Sequence, residues 1–220
     1  MNFPLIFKFL KGLAKNNNRD WFEKNKGEYL QAKEHFETFV SGLLKEAVKF
    51  DPGLAGLDPK KLTFRIYRDV RFSKDKSPYK TNMGATFSPG GKLMNKPGYY
   101  LHIEPGNKSF VAGGLYMPAP EDVAKIRQEI DYNGKKLEAV FKNKAFKRLY
   151  SDFDDFDKLK KIPKGYAADH PQIEWLKLKS FIVMHNLKDA EVQDKNFLKT
   201  VVSAFKTMKP MNNFLSEAVA

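Results

Sequence analysis

The chain predicts an α+β fold, a central antiparallel sheet packed with N-terminal and C-terminal helices. Three observations predict it. Apolar residues recur at helical spacing over the first fifty residues and again over most of the last hundred. Between them they alternate with polar residues, the period of a half-buried strand. Turn residues such as Pro105-Gly-Asn107, not helices, join the alternating segments, which makes neighbouring strands antiparallel. No repeat and no long linker divides the 220 residues, so one domain over 1–220 is expected.

Taken in order, Phe3, Phe7, Leu10 and Leu13 mark a first helix, with Pro4 in its first turn where a missing N–H costs nothing. Lys8 and Lys11 interrupt this segment and no small-x-small site follows, so it reads as an amphipathic helix and not a signal peptide. Asn18 is an N-cap with Asp20 in the first turn beyond it. Phe22, Tyr29, Phe36, Val40, Leu43, Leu44 and Val48 then form one stripe of a long helix over 21–50, broken near Gly27 and stopped by Asp51-Pro-Gly53. Leu62, Phe64 and Ile66 alternate with Thr63, Arg65 and Tyr67 as a strand. If it continues, Arg68 falls on the apolar face, which requires a bulge near Asp69 or a carboxylate partner for a buried guanidinium. Residues 73–78 read as a loop and 79–87 as a second strand. A turn follows over 88–91, then a short excursion over 92–96.

Tyr99, Leu101 and Ile103 begin a hairpin that returns over 109–117. Gly113-Gly114 within the return marks a bulge or a close approach by another backbone or a ligand. Pro120 opens a helix with acids in its first turn. Shorter helices are expected over 133–141, 145–150 and 171–178, a further strand over 181–184, and a last helix from Lys195, kinked or split at Pro210.

Composition bounds the function. Apolar residues make up 42% and charged residues 30%. No run approaches the ~18 apolar residues of a membrane span, so no membrane partner is expected. With no cysteine, disulfides, thiolate catalysis and zinc–sulfur sites are excluded, and a cytoplasmic setting fits. The net charge of +13, from 39 Lys and Arg against 26 Asp and Glu, calls for an anionic partner. Lysines are scattered, but three of the six arginines fall within one stretch.

That stretch, Arg65-Ile-Tyr-Arg-Asp-Val-Arg-Phe-Ser-Lys-Asp-Lys-Ser-Pro-Tyr-Lys-Thr-Asn82, interleaves cations with Ile66, Tyr67, Val70, Phe72 and Tyr79. Such a mixture belongs to a shaped, partly buried site more than to an open charged face. Together with Asn16-Asn-Asn-Arg-Asp-Trp-Phe22, Pro97-Gly-Tyr-Tyr100, Gly113-Gly-Leu-Tyr-Met-Pro118 and Asp169-His-Pro171, it resembles a widespread bacterial family catalogued as domain of unknown function 2461. The resemblance covers nearly the whole chain. It brings no activity, cofactor or catalytic residue with it.

The residues themselves support one chemistry best. Arg65, Arg68 and Arg71 with Lys74, Lys76 and Lys80 are candidate ligands for a phosphate or carboxylate, because guanidinium forks match those groups. Asp69 would orient an arginine or act as general base. Tyr67, Tyr79 and Tyr100, near these cations, are candidates for lowered pKa values and hence acid or nucleophile roles. His102 shares a strand face with Glu104, but the four histidines lack metal-ligand spacing, and no metal is assigned. No nucleophile elbow and no phosphate-cradling glycine loop is present. The residues name no cofactor and no oligomeric state.

Three readings follow. The first is binding of, or catalysis on, a phosphorylated or other anionic small molecule in a pocket lined by Arg65–Lys80, with Asp69, Tyr79 and His102 as catalytic candidates. The second is a basic nucleic-acid-binding module, with Tyr99, Tyr100 or Tyr116 stacking on bases. The third is a structural arginine–carboxylate network, through Asp20, Glu23 or Asp69, with no ligand at all.

Overall fold

The structure, a computed structural model, describes residues 2–93 and 95–220. Helices α1 (Phe3–Lys15), α2 (Arg19–Lys24) and α3 (Lys26–Val48) open the chain. The Asn2 side chain caps α1 by accepting from the Leu5 N–H, and Asn18 caps α2 by accepting from the Trp21 N–H. The break expected near Gly27 falls at Asn25, whose side chain donates to the Trp21 carbonyl and closes α2 there.

The strand expected over 62–67 does not form. Asp58 caps a short helix α4 (Pro59–Leu62), with Pro59 at its first position, so Leu62 is helical. The chain beyond it makes single bridges only, Thr63 with Ala85 and Tyr67 with Tyr79. Leu62 and Ile66 are both buried, but from different local structures, and this imitates strand periodicity.

Four strands follow: β1 (Met83–Phe87), β2 (Gly98–Ile103), β3 (Ser109–Leu115) and, after helices α5 (Pro120–Lys142), α6 (Lys144–Leu149) and α7 (Ile173–Leu176), β4 (Phe181–Leu187). They form one antiparallel sheet in the order β1-β2-β3-β4. The two helices expected over 120–141 are the two halves of α5, which meet at a kink where Asn133 leaves the helical conformation. The excursion expected over 92–96 begins as a 3-10 turn, Gly91–Leu93, and Met94 within it lies outside the described residues. Short α8 (Asp189–Val192) leads to α9 (Phe197–Ala218), which continues through Pro210.

One sheet face is the floor of the core. Ala85, Phe87, Tyr99, Leu101, Val111, Leu115, Phe181 and Val183 are buried on it. Helix α9 crosses that face, with Phe205 stacked on Tyr99 at 4.8 Å, and α3 and α5 flank α9. A buried polar cluster pins α9 to the sheet. The Tyr99 hydroxyl donates to Asp51 Oδ2 at 2.8 Å, and Lys209 Nζ donates to Asp51 Oδ1 at 2.9 Å. No helix among the described residues is long and apolar enough to cross a membrane.

Candidate functional site

The register of the sheet sets out its second face as rows. Thr86, Tyr100, Ala112 and Met184 form one row; Gly98, Gly114 and Ile182 form the next. Two of these positions must be glycine. A Cβ on Gly98 would meet the Phe87 carbonyl at 2.5 Å, and a Cβ on Gly114, whose φ is +120°, would run into the Phe181 carbonyl. The floor is therefore low along Gly98, Ala112 and Gly114. Around it stand Phe64 and Tyr100 toward β1, Ile182 and Met184 on β4, and Tyr116 stacked on Phe156 at 5.7 Å. The result is a mainly apolar cleft of about 600 Å³, within the range of small-molecule sites.

One cation of a cluster lines the cleft wall, and its two neighbours, Arg65 and Lys92, line an adjoining hollow that shares Phe64. Lys80 lines the cleft, and its Nζ lies 5.4 Å from the Phe64 ring centroid; Lys92 Nζ lies 5.6 Å from the same ring. Burial first, then the neighbouring charges of Arg65 and Lys92, push the Lys80 ammonium below its ordinary pKa. Three like charges held together are relieved by an arriving anion. Lys96 and Asp154 also line the cleft.

A polar chain runs along β2 on the same face. Tyr100 Oη lies 3.4 Å from His102 Nδ1, and His102 Nε2 lies 3.0 Å from Glu104 Oε2. Thr81 donates to Glu104 Oε1 at 3.2 Å, and the His102 ring stacks on Phe110 at 4.5 Å. Burial lifts the Tyr100 hydroxyl to about 12. It also lowers His102, against the opposing pull of Glu104. Tyr100 is thus a neutral donor and His102 a neutral ring at pH 7. The lowered pKa values expected for Tyr79 and Tyr100 are not found: both are raised, because burial penalises the phenolate, and at Tyr79 this outweighs the nearby Arg19 and Lys26.

The cation-rich stretch is a loop closed by the Tyr67–Tyr79 bridge. Of its six candidate ligands, Lys80 lines the cleft. Arg68 pairs with Asp75 and also donates to Ser73 Oγ. The strand that would have set Arg68 on an apolar face does not form, and the pair lies near the surface, with Asp75 exposed. Arg71 forks onto Asp69, Nε to Oδ1 at 3.0 Å and Nη2 to Oδ2 at 2.7 Å. That guanidinium holds the Asp69 carboxyl below the usual aspartate range. Lys76 Nζ donates to the Val70 carbonyl, and Lys74 is exposed. Arg65 lines the adjoining, smaller hollow with Tyr29, Lys33 and Glu37. Asp69 is exposed at the loop surface. Tyr79 is buried, stacked on Phe22 at 4.0 Å, with its backbone clamped at N–H and C=O by the Asn17 side chain.

Sequence reasoning brought His102 and Glu104 to one face but did not join them to Tyr100. The spacing Tyr-x-His-x-Glu on a strand was the available signal. It also missed Phe64, the Tyr116–Phe156 stack and the low floor, of which Gly113-Gly114 gave the single hint. Among the described residues, no group of three His, Asp or Glu is placed to hold a metal ion.

Fold and site together define an α+β protein with one antiparallel sheet, backed by helices on its inner face and carrying a ligand-sized cleft on its outer face. Among curated proteins and among solved structures, none matches this chain. The chain belongs to the DUF2461 family of conserved hypothetical proteins, whose pattern spans residues 5–214.

Proposed function

We propose that this protein binds an anionic small molecule, its flat apolar body against Gly98, Ala112 and Gly114 and its carboxylate or phosphate at Lys80. The observation that carries the reading is the junction of a 600 Å³ apolar cleft with the Lys80–Lys92–Arg65 charge cluster. An apolar slot supplies affinity through buried area, and a partly desolvated ammonium selects the charged end. Arg68 and Arg71 shape the loop that delivers Lys80, and Arg65 adds to the field around it. With no cysteine to protect, a cytoplasmic setting suits the chain.

Calorimetric titration with 1-naphthyl phosphate, 2-naphthoate and neutral 2-naphthalenemethanol tests this. Both anions bind more tightly than the alcohol, and Lys80→Met removes that preference, about tenfold for a charge-assisted contact worth ~1.4 kcal/mol. Ala112→Trp fills the floor and abolishes all three. Equal affinity for alcohol and anions, or binding that survives Ala112→Trp, overturns the proposal.

One observation favours a second reading, single-stranded nucleic acid across the sheet. Tyr116 and Phe156 are 45% and 54% exposed and share this face with Tyr100. It predicts salt-dependent retention of a single-stranded oligonucleotide, weakened by Tyr116→Ala.

A further inference from the structure

The cleft holds more than a binding surface requires. A ligand slot needs aromatic walls and a counter-charge; it does not need a tyrosine, a histidine and a glutamate in line on alternate residues along β2 and just past its end. We propose that Tyr100 is the acid–base group of this cleft, passing a proton between the bound molecule and the His102–Glu104 pair, and that its substrates are carboxylates or phosphates with an enolisable carbonyl. This rests on the cleft being the ligand site.

Three features of the geometry support it. First, the hydrogen-bond roles follow from the chain of contacts. An ionised Glu104 only accepts, so His102 presents its Nε2 hydrogen to Oε2 at 3.0 Å. The Nδ1 lone pair is then left facing Tyr100 Oη at 3.4 Å. That separation is at the long end of the range, as relay contacts commonly are before a substrate tightens them. Second, the hydroxyl is seated. A Cβ at position 84 would run into Tyr100 Oη, so bare Gly84, opposite His102 in the register, is what lets the phenol reach the histidine. Third, the relay adjoins both the cleft and its cation. Tyr100 and Lys80 line the same space and both neighbour Phe64, the Tyr100 ring 6.1 Å and the Lys80 Nζ 5.4 Å from that ring.

The chemistry then follows. The C–H bond beside the carbonyl breaks and its proton passes to Tyr100 Oη. The Tyr100 O–H proton passes in the same step to His102 Nδ1. The C–H electron pair moves onto the carbonyl oxygen as an enolate, toward the Lys80 ammonium, and Glu104 balances the imidazolium. Return of the proton to a different atom or face completes a tautomerisation, isomerisation or racemisation, with no oxidant or reductant consumed. Covalent catalysis is the weaker alternative. The cleft serine, Ser88, has its hydroxyl spent on the Lys96 carbonyl at 2.9 Å, and the Tyr100 phenol is too basic to ionise readily.

The test uses the full chain with phenylpyruvate in D2O, following loss of its C3 proton signal by NMR, alongside calorimetry with 2-naphthoate. The wild type exchanges the proton on the order of 10²-fold faster than buffer, the usual scale of general acid–base catalysis. Tyr100→Phe removes that gain while 2-naphthoate still binds. In the wild type the rate falls as pH drops through the His102 pKa, which lies below the ordinary histidine value. The groups facing that ring are Tyr100 on its own strand, Glu104 just past that strand's end, Gly84 on β1 and Phe110 on β3. Thr81 and Lys108 reach it through Glu104. His102→Asn abolishes the acid limb. If 2-naphthoate binds and phenylpyruvate displaces it, yet exchange stays at the buffer rate, the relay is overturned and the cleft stands. Exchange that survives Tyr100→Phe overturns it equally. If 2-naphthoate fails to bind, the cleft reading falls first and the relay with it.

Discussion

Removing the Tyr99 hydroxyl measures how firmly the sheet is fixed to its helical backing. Tyr99 is buried, and its O–H donates to the carboxylate of Asp51 at 2.8 Å. Tyr99→Phe deletes that bond and little else. The ring keeps its stacking on Phe205 at 4.8 Å and its edge contact with Phe50 at 6.1 Å. Asp51 keeps Lys209, so no buried charge is orphaned. A hydrogen bond to a charged group contributes about 1.5–3 kcal/mol, so a loss of about 2 kcal/mol is expected. For a chain of this size that lowers Tm by roughly 4–8 °C. Thermal unfolding followed by circular dichroism reads it directly. The background variant Asp51→Ala makes the test sharper. There the Tyr99 hydroxyl has lost its acceptor, and Tyr99→Phe becomes neutral or stabilising. A Tm equal to wild type for the single variant, or a full loss repeated in the Asp51→Ala background, would refute the reasoning.

Two further outcomes follow from the same contacts. Gly114→Ala forces a side chain onto the Phe181 carbonyl at φ +120°, and should cost about 3 kcal/mol or more, read as a large fall in Tm or loss of soluble protein. Arg71→Ala and Phe72→Ser both alter the loop tip, where Phe72 is 97% exposed and the Arg71–Asp69 fork faces solvent. Neither should move Tm measurably, because exposed pairs and exposed rings contribute little to folding.

Much of the sheet was legible because one of its faces is buried and the other is not, which writes period two into β2 and β3. The segment 62–67 carries the same period for another reason. Its apolar residues belong to a capped helical turn and to a bent edge segment, and periodicity cannot tell these from a strand. The Asp58-Pro59 cap was the local signal that distinguishes them. The loop 65–80 stood out for its charge, yet its carboxylates lie only two and seven residues from their guanidinium partners, Asp69 with Arg71 and Asp75 with Arg68. Pairs that close in sequence can neutralise each other without help from the fold, and here they do.

The cleft was hard to read because it is made of missing side chains. Gly98, Ala112 and Gly114 come from two strands and meet only through the register, and small residues leave no periodic trace. What links loop to cleft is a single change of direction. Asn17 holds both backbone groups of Tyr79, and Phe22 stacks on its ring, so Tyr79 is drawn toward the helices. The next residue, Lys80, donates its N–H to the Ile66 carbonyl and presents its ammonium on the cleft wall. The Arg68–Asp75 pair lies within the loop, and the lysine at its end is the residue on the cleft wall, where the proposed function places the ligand's charge.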